Sequence, residues 1–357
     1  MINKRSAFAV ASAMIMLAAG IACAQEWDRA VSLYNQKQYR PAIREFHAVL
    51  KANPDAWQSW YYIGAAHFQL KGYEDTIDAF QNYLKSTEKD EKAQATAYYF
   101  IGTAHYNLQQ YDKAIPALSK YVALSGKLQQ PVDTTARAAL GRAYIFSEKF
   151  SEAIPVLTIA ASEMKTNATN YYYIGYAQHK LGRGDLATAA LNQALTIDPK
   201  DLNSLALLGD LYLAQVRQNP AMAKQAISVG ERLLAVKDDE RAWGLVGQAY
   251  LADKQFAKAA PLLDKFARAH PDSSAAWLNL GIAQSRSSQW KAAADALEQA
   301  VKLAPNSMAA LLELGYVYES DQQPDKALPA YQKAYETSGR KDETARAGIE
   351  RLKPTKP

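Results

Sequence analysis

Cysteine is almost missing from this chain of 357 residues: Cys23 is the single one, so no disulfide can form within the molecule. With no covalent staple available, the folded state must rest on packing. Charge of one sign is scarce as well. Lys and Arg number 41 against 36 Asp and Glu, and the signs alternate along the chain. No run of cations could neutralise a row of phosphates, which argues against a nucleic-acid partner. The five histidines, His47, His67, His105, His179 and His270, include no His-Glu-x-x-His and no pair at ligand spacing, so neither a metal nor a cofactor is expected. Nothing resembles a nucleophile elbow. Beyond the first two dozen residues, no segment reaches the ~20 apolar residues that span a bilayer.

What is present begins with a distinct N-terminal segment. Lys4-Arg5 is basic, Ala7 to Ala19 is almost wholly apolar, and Ala22-Cys23-Ala24 has a small-x-small form. This order is that of a secretory signal peptide over residues 1–24, cleaved after Ala24 to leave Gln25 first. Loss of Lys4 and Arg5 takes the formal balance from +5 to +3. The expectation is an exported chain, periplasmic or secreted. A lipid anchor at Cys23 is the alternative, although Gly20 stands where a lipobox has a large aliphatic residue.

The rest of the chain is periodic. Trp60-Tyr61-Tyr62-Ile63-Gly64 recurs as Tyr98-Tyr99-Phe100-Ile101-Gly102 and as Tyr171-Tyr172-Tyr173-Ile174-Gly175. In the same phase lie Gly64, Gly102, Gly141, Gly175, Gly209, Gly247, Gly281 and Gly315, at intervals of 38, 39, 34, 34, 38, 34 and 34. Small residues such as Thr76, Ala114, Ala259 and Ala293 follow twelve positions later. Glycine on one helix and alanine on the next suggest two antiparallel helices in close approach. Pro54, Pro199, Pro271 and Pro305 separate the units, and Asp272-Ser273-Ser274 and Asn306-Ser307 offer N-cap oxygens for the following helices.

A period of 34 residues with these glycines and alanines resembles the tetratricopeptide repeat family. The resemblance implies an all-α, right-handed α-solenoid of about nine helix-turn-helix units. They fall at about 25–56, 57–94, 95–133, 134–167, 168–201, 202–239, 240–273, 274–307 and 308–341, with a capping helix and tail at 342–357. The sixth unit carries extra residues around Gln218-Asn219-Pro220, and the second and third are expected to end in longer loops. Pro116, Pro155, Pro261 and Pro329 fall near the starts of second helices, where a locally distorted first turn rather than a broken helix is expected.

The resemblance also implies a binding surface, since the first helix of each pair lines the family's concave groove. The positions three before and one after each glycine, with those four and five after it, are the ones that face a ligand there. Here the first of these places holds Tyr61, Tyr99 and Tyr172, and the second holds Arg142 and Tyr176. The last two hold Tyr34-Asn35, Phe68-Gln69 and Tyr106-Asn107, followed by Ile145-Phe146 and His179-Lys180. Rings with neighbouring amides suit an extended peptide. The same rings could instead pack between neighbouring units.

Gly182-Arg183-Gly184-Asp185-Leu186-Ala187 has dinucleotide-fingerprint spacing, but that motif works only between a strand and a helix. Here it reads as a turn between helices. The functional expectation is a non-enzymatic scaffold or adaptor that binds a protein or peptide segment, in envelope assembly or export. A membrane-tethered or self-assembling subunit is the alternative.

Overall fold

The structure, a computed structural model, describes residues 25–353. The expected signal peptide, its cleavage site after Ala24, Cys23 and the end of the tail lie outside the described residues. The described residues form nineteen helices and no strand. The chain divides after Arg183 into two compact bodies.

In the N-terminal body, α1 (25–35) pairs with α2 (Tyr39–Ala52), and α3 (Gln58–Gln69) with α4 (Tyr73–Ser86). Then α5 (Glu91–Asn107) pairs with α6 (Tyr111–Lys127), α7 (Thr134–Phe146) with α8 (Phe150–Glu163), and α9 (Ala168–Lys180) closes the body. The C-terminal body starts with α10 (Gly184–Ile197). It continues through the pairs α11 (Leu202–Gln215) and α12 (Met222–Val236), α13 (Glu240–Ala252) and α14 (Phe256–Ala269), and α15 (Ser274–Arg286) and α16 (Trp290–Leu303). The pair α17 (Met308–Ser320) and α18 (Pro324–Thr337) precedes a last helix, α19 (Glu343–Leu352).

The two helices of a pair differ in how they are covered. A second helix buries one stripe, such as Ala42, Phe46 and Val49 of α2, and leaves its other face wet. First helices are sandwiched by neighbours, so α3 buries Ile63, Gly64, Ala65 and Ala66 in succession. They also start differently. The first helices α5, α7, α11 and α13 are capped by Asp90, Asp133, Asp201 and Asp239, α9 by Asn167, and α15 and α17 by Ser273 and Ser307. Each side chain accepts an N–H that the helix leaves without a partner. The second helices α2, α4, α6, α8, α14, α16 and α18 have no such cap, because a three-residue turn leads straight into them.

That turn is the same in seven pairs. Its middle residue is left-handed at Lys37, Lys71, Gln109, Glu148, Lys254, Ser288 and Gln322, with φ between 57° and 60°. The next N–H returns to the first helix, as from Gly72 to the His67 carbonyl at 2.9 Å and from Gln110 to that of His105 at 2.9 Å. These are the bonds of a Schellman C-cap. Glycine fills the left-handed place in the Gly182 turn, at φ 73°, and again after α18 at Gly339, at φ 66°.

Two expectations are corrected. The residue lying over Gly64, Gly102, Gly141, Gly247, Gly281 and Gly315 is a large side chain sixteen positions on, not the small residue twelve positions on. A Cβ on Gly64 would stand 2.6 Å from Phe80, and one on Gly281 would stand 2.5 Å from Leu297. The glycine therefore makes room for a ring or a leucine. At Gly209 the role passes to Leu245 of α13, 2.5 Å away, because the extra residues 216–221 shift α12. Secondly, the surplus residues of the second and third units are mostly helix rather than loop: α5 and α6 are each 17 residues long. As expected, α6, α8, α14 and α18 run unbroken through Pro116, Pro155, Pro261 and Pro329, each the sixth residue of its helix. All four prolines are exposed, as are Asp112, Ser151, Ala257 and Asp325, whose carbonyls lose the bond. Those carbonyls can therefore turn to solvent in place of the missing donor.

Candidate functional site

The groove positions fall into three structural roles. Tyr34, Phe68 and Tyr106 each meet the aromatic residue that opens the second helix of the same pair. The edge-to-face contacts are Tyr34–Tyr39 at 5.6 Å, Phe68–Tyr73 at 5.7 Å and Tyr106–Tyr111 at 5.8 Å. The same geometry in three successive pairs fixes these rings beside the turn, each contact contributing about 0.5–1.5 kcal/mol beyond the area it buries.

Tyr61 packs within its pair and against the next one, and Tyr99 packs within its own pair. Tyr61 meets Phe80, Tyr83 and Phe100 at 6.0, 6.1 and 6.3 Å, and Tyr99 meets Phe100 and Tyr121 at 5.1 and 5.4 Å. Burial first of all raises the pKa of Tyr34, Tyr61, Tyr99 and Tyr106. Their hydroxyls therefore stay protonated and can donate at neutral pH. Tyr172 and Tyr176 on α9 lie 6.3 Å apart, and Lys180 sits 5.4 Å over the Tyr176 ring. All these rings are half-buried, so each combines a packed face with an accessible one.

The amides form the outermost layer. Asn35, Gln69 and Asn107 are all exposed, one residue beyond the rings. Asn107 donates to the Thr103 carbonyl of its own helix at 2.8 Å. Arg142 is half-buried; its Nε donates to the Ala138 carbonyl at 3.3 Å, and its guanidinium lies 5.5 Å over Tyr106.

The pattern underrated the position two before the glycine. Tyr62 stacks on Phe46 at 4.8 Å and 10°, and Phe100 on Phe80 at 4.4 Å and 8°. Tyr173 at the same place meets Phe146 at 5.8 Å. The repeated Tyr-Tyr and Tyr-Phe pairs before Gly64, Gly102 and Gly175 were the available signal for it.

The other candidates are absorbed locally. His67 pairs with Asp75 at 3.3 Å, and His105 with Gln110 at 2.8 Å. Burial lowers both imidazole pKa values despite those partners. Asp239 caps α13, and Asp238 accepts from the Trp243 indole and pairs with Lys265 at 3.5 Å. No group of three or more His, Cys, Asp or Glu that could hold a metal ion occurs among the described residues. No described helix is long and apolar enough to cross a membrane.

Comparison with known proteins follows the repeat. One tetratricopeptide repeat profile matches residues 28–91, 138–201 and 278–343; two further profiles of the same description match 240–283 and 95–127. No curated protein matches the chain. Among solved structures, YrrB, described as a TPR protein with an unusual peptide-binding site, is 18% identical with a TM-score of 0.50. That match covers 54% of this chain and 97% of YrrB. MamA from Desulfovibrio magneticus RS-1 is 22% identical with a TM-score of 0.43, over 49% of this chain and 97% of MamA. MamA MSR-1 is 27% identical with a TM-score of 0.43, over 49% and 98%. The chain belongs to the tetratricopeptide repeat family.

Proposed function

We propose that this tetratricopeptide repeat chain is a non-enzymatic scaffold that binds an extended protein or peptide segment along the first helices of its N-terminal body. One observation carries the reading. Three successive pairs present an exposed amide, Asn35, Gln69 or Asn107, directly after a ring held edge-to-face by its own turn. Rings fixed in advance lose little entropy on binding, and amides can pair with both the N–H and the C=O of an extended strand. Tyr61, Tyr99, Tyr172 and Tyr176 supply further half-buried area, and Arg142 supplies a cation. YrrB, which shares the fold, is described with a peptide-binding site.

The test is capture from an envelope extract with the exported chain as bait. The variant Asn35→Ala/Gln69→Ala/Asn107→Ala keeps its helical spectrum and loses the partner. An unchanged partner set would assign those amides to solvent alone.

We further propose that the chain acts outside the cytoplasm, in envelope assembly or export. This rests on the Lys4-Arg5 start, the apolar stretch and Ala22-Cys23-Ala24. Mass spectrometry of the mature N-terminus separates it from the tethered alternative: Gln25 as first residue excludes the anchor, and an acylated Cys23 establishes it.

A further inference from the structure

Two successive pairs build the same aromatic corner, and the second of them leaves it open. Between α3 and α4, Tyr61 and Tyr83 meet at 6.1 Å, and Trp57 closes the corner by packing on Tyr83 at 5.6 Å. Between α5 and α6, 38 residues on, Tyr99 and Tyr121 meet at 5.4 Å. The place of Trp57 is taken there by the buried Ala95. Trp57 has helical backbone angles, φ −57° and ψ −24°, so its register with Ala95 in α5 holds. Without the indole, a cavity of about 280 Å³ opens beside Ala95, Tyr99 and Tyr121.

The repeat packs without a ring at either place: the two hold Ala138 and Ala160, Leu278 and Ala300, or Leu312 and Ala334 in other pairs. The rest of the cavity is built by what this pair adds. After α6 ends at Lys127, the chain crosses to α7 through Gln130 and Pro131, which form the rim. The rim is tied to the wall, since the Asp133 N–H donates to the Tyr121 hydroxyl at 2.7 Å. Ser125 stands in register with Thr87, whose hydroxyl donates to the Tyr83 carbonyl at 2.8 Å. Ser125 differs: it is 2% exposed and lines the cavity, and its hydroxyl has no hydrogen-bond partner among the described residues. Asp133 also lines it, using one carboxylate oxygen to cap α7 at 2.8 Å. A buried hydroxyl left unpaired is costly, so the cavity lacks both a ring and a polar group.

We infer that this cavity takes a tryptophan side chain of the partner segment, its ring in the place that Trp57 fills one pair earlier. The indole N–H then meets Ser125 and the free oxygen of Asp133. An indole joins a large apolar ring to a single donor, which is what these walls lack. The chain already uses that contact elsewhere, where the Trp243 indole donates to Asp238. The selection is by shape and one hydrogen bond, and the occupant is neutral. The inference rests on reading the chain as a protein-binding scaffold, and it adds to the first-helix amides a side-chain pocket that they do not form.

The experiment is amide chemical-shift mapping on the isotope-labelled full exported chain, titrated with Nα-acetyl-tryptophan methylamide. Saturable shifts are expected at the Ser125, Gln130 and Asp133 amides. Nα-acetyl-leucine methylamide, and the N-methylindole analogue that lacks the donor, are expected to bind about tenfold more weakly. Ala95→Trp places the chain's own indole in the cavity and abolishes the shifts. Should that larger residue disturb folding, Tyr99→Ala removes one wall and lowers the affinity about tenfold. Absence of saturable shifts in the unaltered chain, or unaltered affinity in folded Ala95→Trp or in Tyr99→Ala, overturns the site. Equal binding of the leucine derivative overturns the indole assignment in favour of a plain apolar slot. The variant lacking Asn35, Gln69 and Asn107 still shows the shifts, so failure of the first-helix surface and failure of this cavity are read separately.

Discussion

Phe100 of α5 lies flat on Phe80 of α4, with ring centroids 4.4 Å apart and planes 8° from parallel. Phe80 is fully buried and also covers Gly64, where a Cβ would stand 2.6 Å from its ring. One side chain thus closes its own pair and joins it to the next. Phe80→Ala is expected to cost about 3–5 kcal/mol, because both contacts collapse into a cavity. Phe80→Leu should cost much less, since Leu118, Leu157 and Leu297 cover the corresponding glycines. Urea unfolding of the two variants measures the difference; equal costs would contradict the shared role.

Asn170 is fully buried in α9, and neither amide atom has a hydrogen-bond partner among the described residues. The same place in other pairs holds Ala97, Ala136, Ala242, Ala276 and Ala310, all buried. A buried amide without partners costs about 1–3 kcal/mol. Asn170→Ala is therefore expected to stabilise the chain by about 1 kcal/mol, read as a higher urea midpoint at unchanged slope. A lower midpoint would mean that the amide is satisfied in solution.

Gln109 holds the left-handed turn between α5 and α6 at φ 58°. A residue with a Cβ is strained there by about 1–2 kcal/mol, and glycine is not. Gln109→Gly should raise the thermal midpoint despite the greater freedom of glycine in the unfolded chain. The control Ala104→Gly, inside α5 and buried, should lower it.

The last helix is held by a pH-dependent clamp. Arg351 donates twice to Glu319 at 2.8 Å, and the Tyr331 hydroxyl donates to the same carboxylate at 2.8 Å. The Arg351 hydrogen bonds, with lesser help from Tyr331, hold the Glu319 pKa below its ordinary value. Its contribution is therefore complete above the unfolded carboxylate pKa, near 4.3, and is lost as pH falls through the lower folded value. Hydrogen exchange of α19 should accelerate on acidification through that range, ahead of α17. Glu319→Gln should exchange fast already at neutral pH and lose the dependence.

Much of the fold was legible because the repeat is redundant. Eight glycines in phase, and Ser or Asp before successive first helices, report the helix pairs through elementary sterics and capping. The candidate site was legible only in part. Tyr34, Phe68 and Tyr106 could be placed on the right helix, yet their partners Tyr39, Tyr73 and Tyr111 emerged from turn geometry. First helices are covered on more than one side, so they carry no simple apolar stripe that separates a ligand-facing ring from a packed one. The cavity beside Ala95 was hidden for a related reason: its walls lie on different helices.

By itself the sequence determined the period and the positions where the chain must approach closely, since these depend on residue size and local backbone preference. Only the tertiary structure decided that Phe80 rather than Thr76 lies closest over Gly64, that the prolines face water, and that the aromatic rings are half packed. Those outcomes depend on which neighbour a side chain meets, and that neighbour comes from another turn of the chain.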